Sequence, residues 1–179
     1  MRRSREETAR TRRSAVEAAA QLFRERGIDS VSVGEVMASV GMTAGGFYRH
    51  FENKEALAAE ACAAAFEGSG LAHARSAETM LRGYLSKAHR DAPASGCPLP
   101  ALASEMARQP TAVRSAYTEG LRHALARIRE VAPGADSTTR LALVAGMVGA
   151  LVLARAVGDE KLSATMLRET RRFWMQALS

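Results

Sequence analysis

A chain of 179 residues, 47% of them hydrophobic, is large enough for one compact unit or two small ones sharing a core, and too apolar for wholesale disorder. The net charge of +6 suits a polyanionic partner, yet it is unevenly placed: residues 1–13 hold six Arg against two Glu, while residues 14–55 hold four basic and six acidic residues. Cys62 and Cys97 form neither a CxxC pair nor a secreted disulfide framework, and no apolar stretch follows the N-terminal arginines, which excludes a signal peptide and fits a reduced cytoplasm.

Alanine and leucine outnumber the β-branched and aromatic residues, and no segment alternates with a strand period, so the expected class is all-α with about nine helices. The first helix is expected over Glu6–Arg26, with Val16, Ala19, Ala20 and Phe23 on one face and Gly27 as its stop. Ser32 and Glu35 make a capping box for a second helix. Gly41 allows a sharp turn, Thr43 caps a third helix, and Asn53 caps a fourth running to about Phe66. Further helices are expected over 78–88, 99–108, 111–131, 137–157 and 160–178, broken by the loop at 91–96, Pro110, Pro133-Gly134 and Gly158. Leu141–Ala154 has no charged residue and reads as a helix buried on nearly every side, with Gly146 and Gly149 admitting a close neighbour. It falls short of the roughly 20 residues that a membrane span needs.

The stretch at 32–51 is therefore two short helices joined by a tight turn, which is how a helix is presented to the major groove. Helix N-termini at Thr43 and Asn53 suit phosphate, Lys54 adds a cation, and Tyr48 adds a phenol donor, while Phe47 and Phe51 fix the element to its neighbours. The arginines at 2–13 read equally as a solvated tail or as a contact to phosphate or the minor groove.

Arg12 to about Ala61 resembles the DNA-binding domain of the tetracycline-repressor (TetR/AcrR) family of bacterial regulators. The matching runs are Ala-x-x-Leu-Phe ending in Gly27, the Ser32-led helix, Gly41-Met42-Thr43, Gly46-Phe47-Tyr48-Arg49-His50-Phe51 and Asn53-Lys54-Glu55-x-Leu57. The resemblance implies a three-helix DNA-binding domain over 1–55 and a C-terminal effector-binding and dimerisation domain over 56–179. It assigns Ser32, Tyr48, His50 and Lys54 to phosphate. Base reading falls to Thr43, Ala44, Gly45, Gly46 and Arg49, with Arg49 suited to guanine and the methyls of Thr43 and Ala44 to thymine. The glycine pair suggests a backbone very close to DNA. It leaves few side chains to read bases, so the shape of the DNA is expected to carry part of the specificity.

The same resemblance implies a homodimer on a palindromic operator, more often as a repressor than an activator, released by a small-molecule or electrophile effector through the fourth helix. Candidate interface residues are Leu141, Val144, Val148, Leu151, Leu167 and Trp174, with Thr170 and Leu178 on the stripe of the last helix. Candidate pocket residues are Phe66, Met80, Tyr84, Cys97, Met106, Tyr117 and Trp174. Cys97, in Gly96-Cys97-Pro98 at a helix start, is a candidate sensor because a helix N-terminus lowers a thiol pKa; inert filler is the plainer reading, as it is for Cys62. No cofactor, metal or membrane partner is expected. His50, His73, His89 and His123 show no metal-ligand spacing, so an enzyme has no motif in its favour. A helical carrier that keeps a vestigial helix-turn-helix is the other alternative.

Overall fold

The computed structural model describes residues 5–178 and is all-α, with no strand among those residues. The helices are α1 (Arg5–Arg26), α2 (Val33–Ser39), α3 (Lys54–Glu67), α4 (Ala77–Tyr84), α5 (Lys87–Asp91), α6 (Pro98–Met106), α7 (Thr111–Val131), α8 (Ser137–Ala156) and α9 (Glu160–Ala177), with 3₁₀ turns at Ala44–Arg49 and Pro93–Ser95.

Local chemistry sets the first boundaries. Both halves of the capping box form: Ser32 Oγ accepts the Glu35 N–H at 3.2 Å, and Glu35 Oε2 accepts the Ser32 N–H at 2.8 Å. At the far end of α2 the Met42 N–H reaches Met37 O (2.9 Å) and the Gly41 N–H reaches Ala38 O (3.0 Å). That pair of bonds needs a left-handed residue between them, and Gly41 takes φ +71°. Gly27 ends α1 at φ +88°, where a Cβ would also fall 2.6 Å from Glu105 Oε1.

Small residues let α1 and α3 approach closely. Ala15, Ala19, Ala20 and Phe23 of α1 face Leu57, Ala58, Ala61 and Cys62 of α3, and α3 packs its other side on α7. A boundary at 55/56 falls inside α3, and the buried residues form one continuous cluster from Ala15 to Trp174.

Several expectations are corrected here. The segment 78–88 is two helices, because the Ser86 side chain accepts the His89 N–H and starts α5 afresh. Asp136 caps α8 through Thr139 N–H (2.7 Å), and this helix spans 20 residues, with a mean hydropathy of 1.6 over an 18-residue window. It is thus long and apolar enough to cross a membrane by length and composition, although its inner face is core. Nor is α8 buried all round: Leu143, Val144, Met147, Ala150, Leu151 and Ala154 point inward, whereas Leu141, Val152 and Leu153 are exposed. Gly146 meets the chain's own Trp174, and a Cβ there would lie 2.8 Å from its indole nitrogen.

Candidate nucleic-acid interface and the chambers beneath it

The Ala44–Arg49 element is a 3₁₀ turn rather than an α-helix, and Thr43 precedes it without making a side-chain cap bond. Phe47 anchors it. Its ring is buried, stacked on Phe51 at 5.4 Å and met edge-on by Tyr48 at 5.2 Å. The anchoring leaves Tyr48 73% exposed, with Thr43, Ala44, Gly45 and Arg49 also exposed, and Gly46, His50 and Lys54 half-buried. A Cβ on Gly46 would come within 3.2 Å of the Met42 methyl, so close internal packing explains one glycine of the pair; Gly45 has open space around it.

Arg12 holds this element in place. Its guanidinium pairs with Glu60 of α3, donates from Nε to His50 O (3.2 Å) and lies 4.7 Å over the Phe51 ring. Glu60 raises the guanidinium pKa through the hydrogen bond. Arg12 is therefore engaged within the protein through Glu60, His50 O and the Phe51 ring, while its side chain stays partly exposed. Arg2 and Arg3 lie outside the described residues, and Arg5, Arg10 and Arg13 are exposed along α1.

Thr8 of α1 joins Met42, Thr43, Gly45, Gly46, Arg49 and His50 around a concavity of about 380 Å³. Thr8 was not legible beforehand, since the helix-turn-helix pattern does not extend to it. Ser32 is exposed, but its hydroxyl already serves the capping box and donates to Glu35 Oε2 at 2.9 Å. The Glu35 carboxyl is held down to about 2, chiefly by the Ser32 N–H and then by Arg26, whose Nη2 lies 2.7 Å away. Lys54 Nζ makes a long 3.5 Å contact to Asp29 O.

Two chambers lie in the C-terminal part. One of about 620 Å³ lies between α3 and α7 and is lined by Phe66, Gly120, His123 and Arg127 among others. The second, about 360 Å³, is lined by Met80, Tyr84, His89, Cys97 and neighbouring residues. Of the expected pocket residues, Phe66 reaches the first chamber and Met80, Tyr84 and Cys97 the second. Met106, Tyr117 and Trp174 reach neither. Met106 is core, Tyr117 donates to Leu99 O (3.0 Å) and packs edge-on against Phe66, and Trp174 seals Gly146.

Cys97 is buried. Burial pushes its thiol up to about 11, although the Leu99 N–H, Tyr84, Arg24 and Arg155 all pull the other way. The expected activation by a helix N-terminus is thus overturned by desolvation. Burial likewise raises Cys62 to about 12, as suits a core cysteine.

The interface residues also need correction. Val144, Leu151, Leu167 and Trp174 are buried within the chain's own core, and Val148 is half-buried. The exposed apolar stripe is instead Leu141, Ala145, Val152, Leu153 and Ala156 of α8, with Leu162 and Phe173 of α9, Phe173 being 60% exposed.

An all-α chain that sets a buried-Phe anchor behind an exposed tyrosine on a helix-turn-helix is a DNA-binding regulator in its architecture. Residues 15–61 match the family described as bacterial regulatory proteins, tetR family, and residues 76–170 match the tetracyclin repressor-like C-terminal domain; the chain belongs to the TetR family of transcriptional regulators. Over 54 residues it is 43% identical to the HTH-type transcriptional repressor BepR of Brucella suis biovar 1, and over 59 residues 36% identical to the HTH-type transcriptional regulator AcrR of Shigella flexneri. Those matches take in 30% and 33% of this chain and only 26% and 27% of the respective relatives. A TetR-family transcriptional regulator from Agrobacterium tumefaciens shares the fold with a TM-score of 0.74 at 22% identity, covering 96% of this chain and 99% of that one.

Proposed function

We propose that the protein is a cytoplasmic, homodimeric repressor that binds a palindromic operator and leaves it when a small molecule enters the C-terminal part. The observation that carries this is the 3₁₀ turn, whose buried Phe47 leaves Tyr48, Thr43 and Arg49 free to meet a duplex. Tyr48, His50, Lys54 and the N-terminal edge of α2 at Ser32 grip phosphate. Thr43, Ala44, Gly45, Gly46 and Arg49 face the base edges.

The dimer forms over the exposed apolar residues of α8 and α9, because a two-fold protein matches a symmetric site and exposed apolar surface of this kind is costly to leave in water. Residues up to about 55 read DNA and the rest bind effector and partner. Displacement of α3, which packs on both α1 and α7, separates the two reading elements. The names of BepR and AcrR support repression. The family match indicates a transcriptional regulator, which is not an enzyme class.

Selection of genomic fragments with the purified protein, followed by footprinting at two salt concentrations, tests the reading. A protected palindrome whose occupancy falls steeply with salt supports it. Diffuse protection without sequence preference, or none, rejects it.

A further inference from the structure

The reading turn Ala44–Arg49 is weak as local structure. It is a 3₁₀ element of six residues, longer than such turns usually run, it carries two glycines, and Thr43 gives it no side-chain cap. An element of this kind keeps one conformation only when it is fixed from outside. Phe47 fixes its inner face. At its C-terminal end the His50 and Phe51 N–H groups both donate to Phe47 O, at 2.9 and 3.1 Å, and the His50 carbonyl accepts from Arg12 Nε at 3.2 Å.

Arg12 serves that carbonyl because Glu60 holds it there. Both terminal nitrogens of the guanidinium pair with both oxygens of the Glu60 carboxylate, which sets the plane of the fork and aims Nε at the turn. The same guanidinium lies 4.7 Å over the Phe51 ring, itself stacked on Phe47. The first helix, the reading turn and α3 thus meet at one side chain. Charge alone argues against a carboxylate in the DNA-reading half, since it opposes a phosphate backbone.

We propose that Glu60 is a specificity-determining positioning residue: through Arg12 it holds the C-terminal end of the reading turn in the one position that fits the operator, while lowering affinity for DNA in general. Its effect on DNA rests on the regulator reading; the ordering of the turn does not. A loosened turn still offers Tyr48 and Arg49 to phosphate, so non-specific binding survives. Base reading needs several groups placed together, so it does not.

Glu60→Gln and Arg12→Lys test this in the full chain. Glu60→Gln keeps the size and an acceptor but drops the charge. Arg12→Lys keeps the charge but has no fork to bridge Glu60 and His50 O. The pair is partly exposed, so both variants stay folded, which circular dichroism and urea unfolding verify. Affinities are measured for the selected duplex and a scrambled one, and amide hydrogen exchange is followed by NMR at His50 and Phe51 in the free protein.

Glu60→Gln binds the scrambled duplex at least as tightly as the wild type and the selected duplex more weakly, so its preference falls about three- to tenfold; Arg12→Lys loses preference to a similar extent. Exchange at the two amides quickens at least roughly threefold in both variants. Tighter binding of both duplexes by one factor in Glu60→Gln, with preference intact, would make Glu60 a charge effect only and overturn the proposal. Unchanged exchange at His50 and Phe51 would also overturn it. Quicker exchange in the variants of a chain whose wild type prefers no duplex would reject the regulator reading and leave the ordering of the turn standing.

Discussion

Arg24 Nε donates to the carbonyl oxygen of Ala94 across 2.8 Å, fastening the last turn of α1 to the 3₁₀ turn beside the smaller chamber. Two more bonds run parallel to it: Ile28 N–H to Glu105 Oε2 (2.8 Å) and Gln109 Nε2 to Asp29 Oδ1 (3.0 Å). The DNA-reading half is thus coupled to the C-terminal part through the end of α1 as well as through α3.

Arg24→Met keeps the aliphatic stem and removes the donors. The expected outcome is a stability loss of about 1.5–3 kcal/mol in urea unfolding, the range for a hydrogen bond to a charged group. Operator affinity without ligand stays near wild type, while release by a chamber ligand is blunted. Undiminished release by a ligand in Arg24→Met would place the coupling in α3 alone.

Ser32 has two roles that a pair of variants separates. Ser32→Ala loses the cap and about 1 kcal/mol of stability. Ser32→Asp keeps a capping oxygen and places a negative charge at the proposed phosphate contact. Ser32→Asp loses the donor to Glu35 and sets a second carboxylate beside it, so it is also destabilised, and its DNA binding is expected to fall well below that of Ser32→Ala. Equal DNA affinity for the wild type and Ser32→Asp would remove Ser32 from the interface.

Acid acts in two windows. Burial first, and the charge of Arg155, lower the His89 pKa below the ordinary 6.5, against the opposing bond to Tyr84 O. The unfolded chain then takes up the proton more readily, so stability is full above about pH 6.5 and declines as pH falls below it. Glu35, held near 2, contributes above its ordinary 4.5 and loses that contribution as pH falls from 4.5 towards about 2. Urea midpoints measured from pH 8 to 3 should be flat above 7 and fall in both windows, and His89→Gln should flatten the upper one. A midpoint rising between pH 7 and 5 would contradict the His89 assignment.

The double variant Leu153→Asp, Phe173→Glu places charge on the exposed stripe without touching the protomer core. Sedimentation should show a helical monomer where the wild type is a dimer, with operator affinity reduced at least roughly tenfold. A dimer of unchanged strength would move the interface elsewhere.

What the sequence made legible was local. The capping box at Ser32 and Glu35, the Asn53 cap and the glycine stops at 27 and 41 each act within a few residues, and all are present. Ser86 was missed as a cap because the apolar pattern continues across it. The two sides of α8 are equally apolar, so periodicity could not tell Leu151, which faces its own core, from Leu153, which faces outward. Arg12 and Glu60 stand 48 positions apart, and only the packing of α1 on α3 joins them. Burial of Cys97 depends in the same way on distant elements, and it reverses the effect expected from the helix start.

The central claim is that the 3₁₀ turn reads a particular duplex. Its most direct test is the affinity of the wild type, Tyr48→Ala and Lys54→Ala for the selected duplex and a scrambled one across a range of salt. The account predicts wild-type preference for the selected duplex, much weaker binding by Tyr48→Ala, and for Lys54→Ala a salt slope shallower by about one unit per protomer. Equal wild-type affinity for both duplexes, or Tyr48→Ala binding as tightly as the wild type, would contradict it.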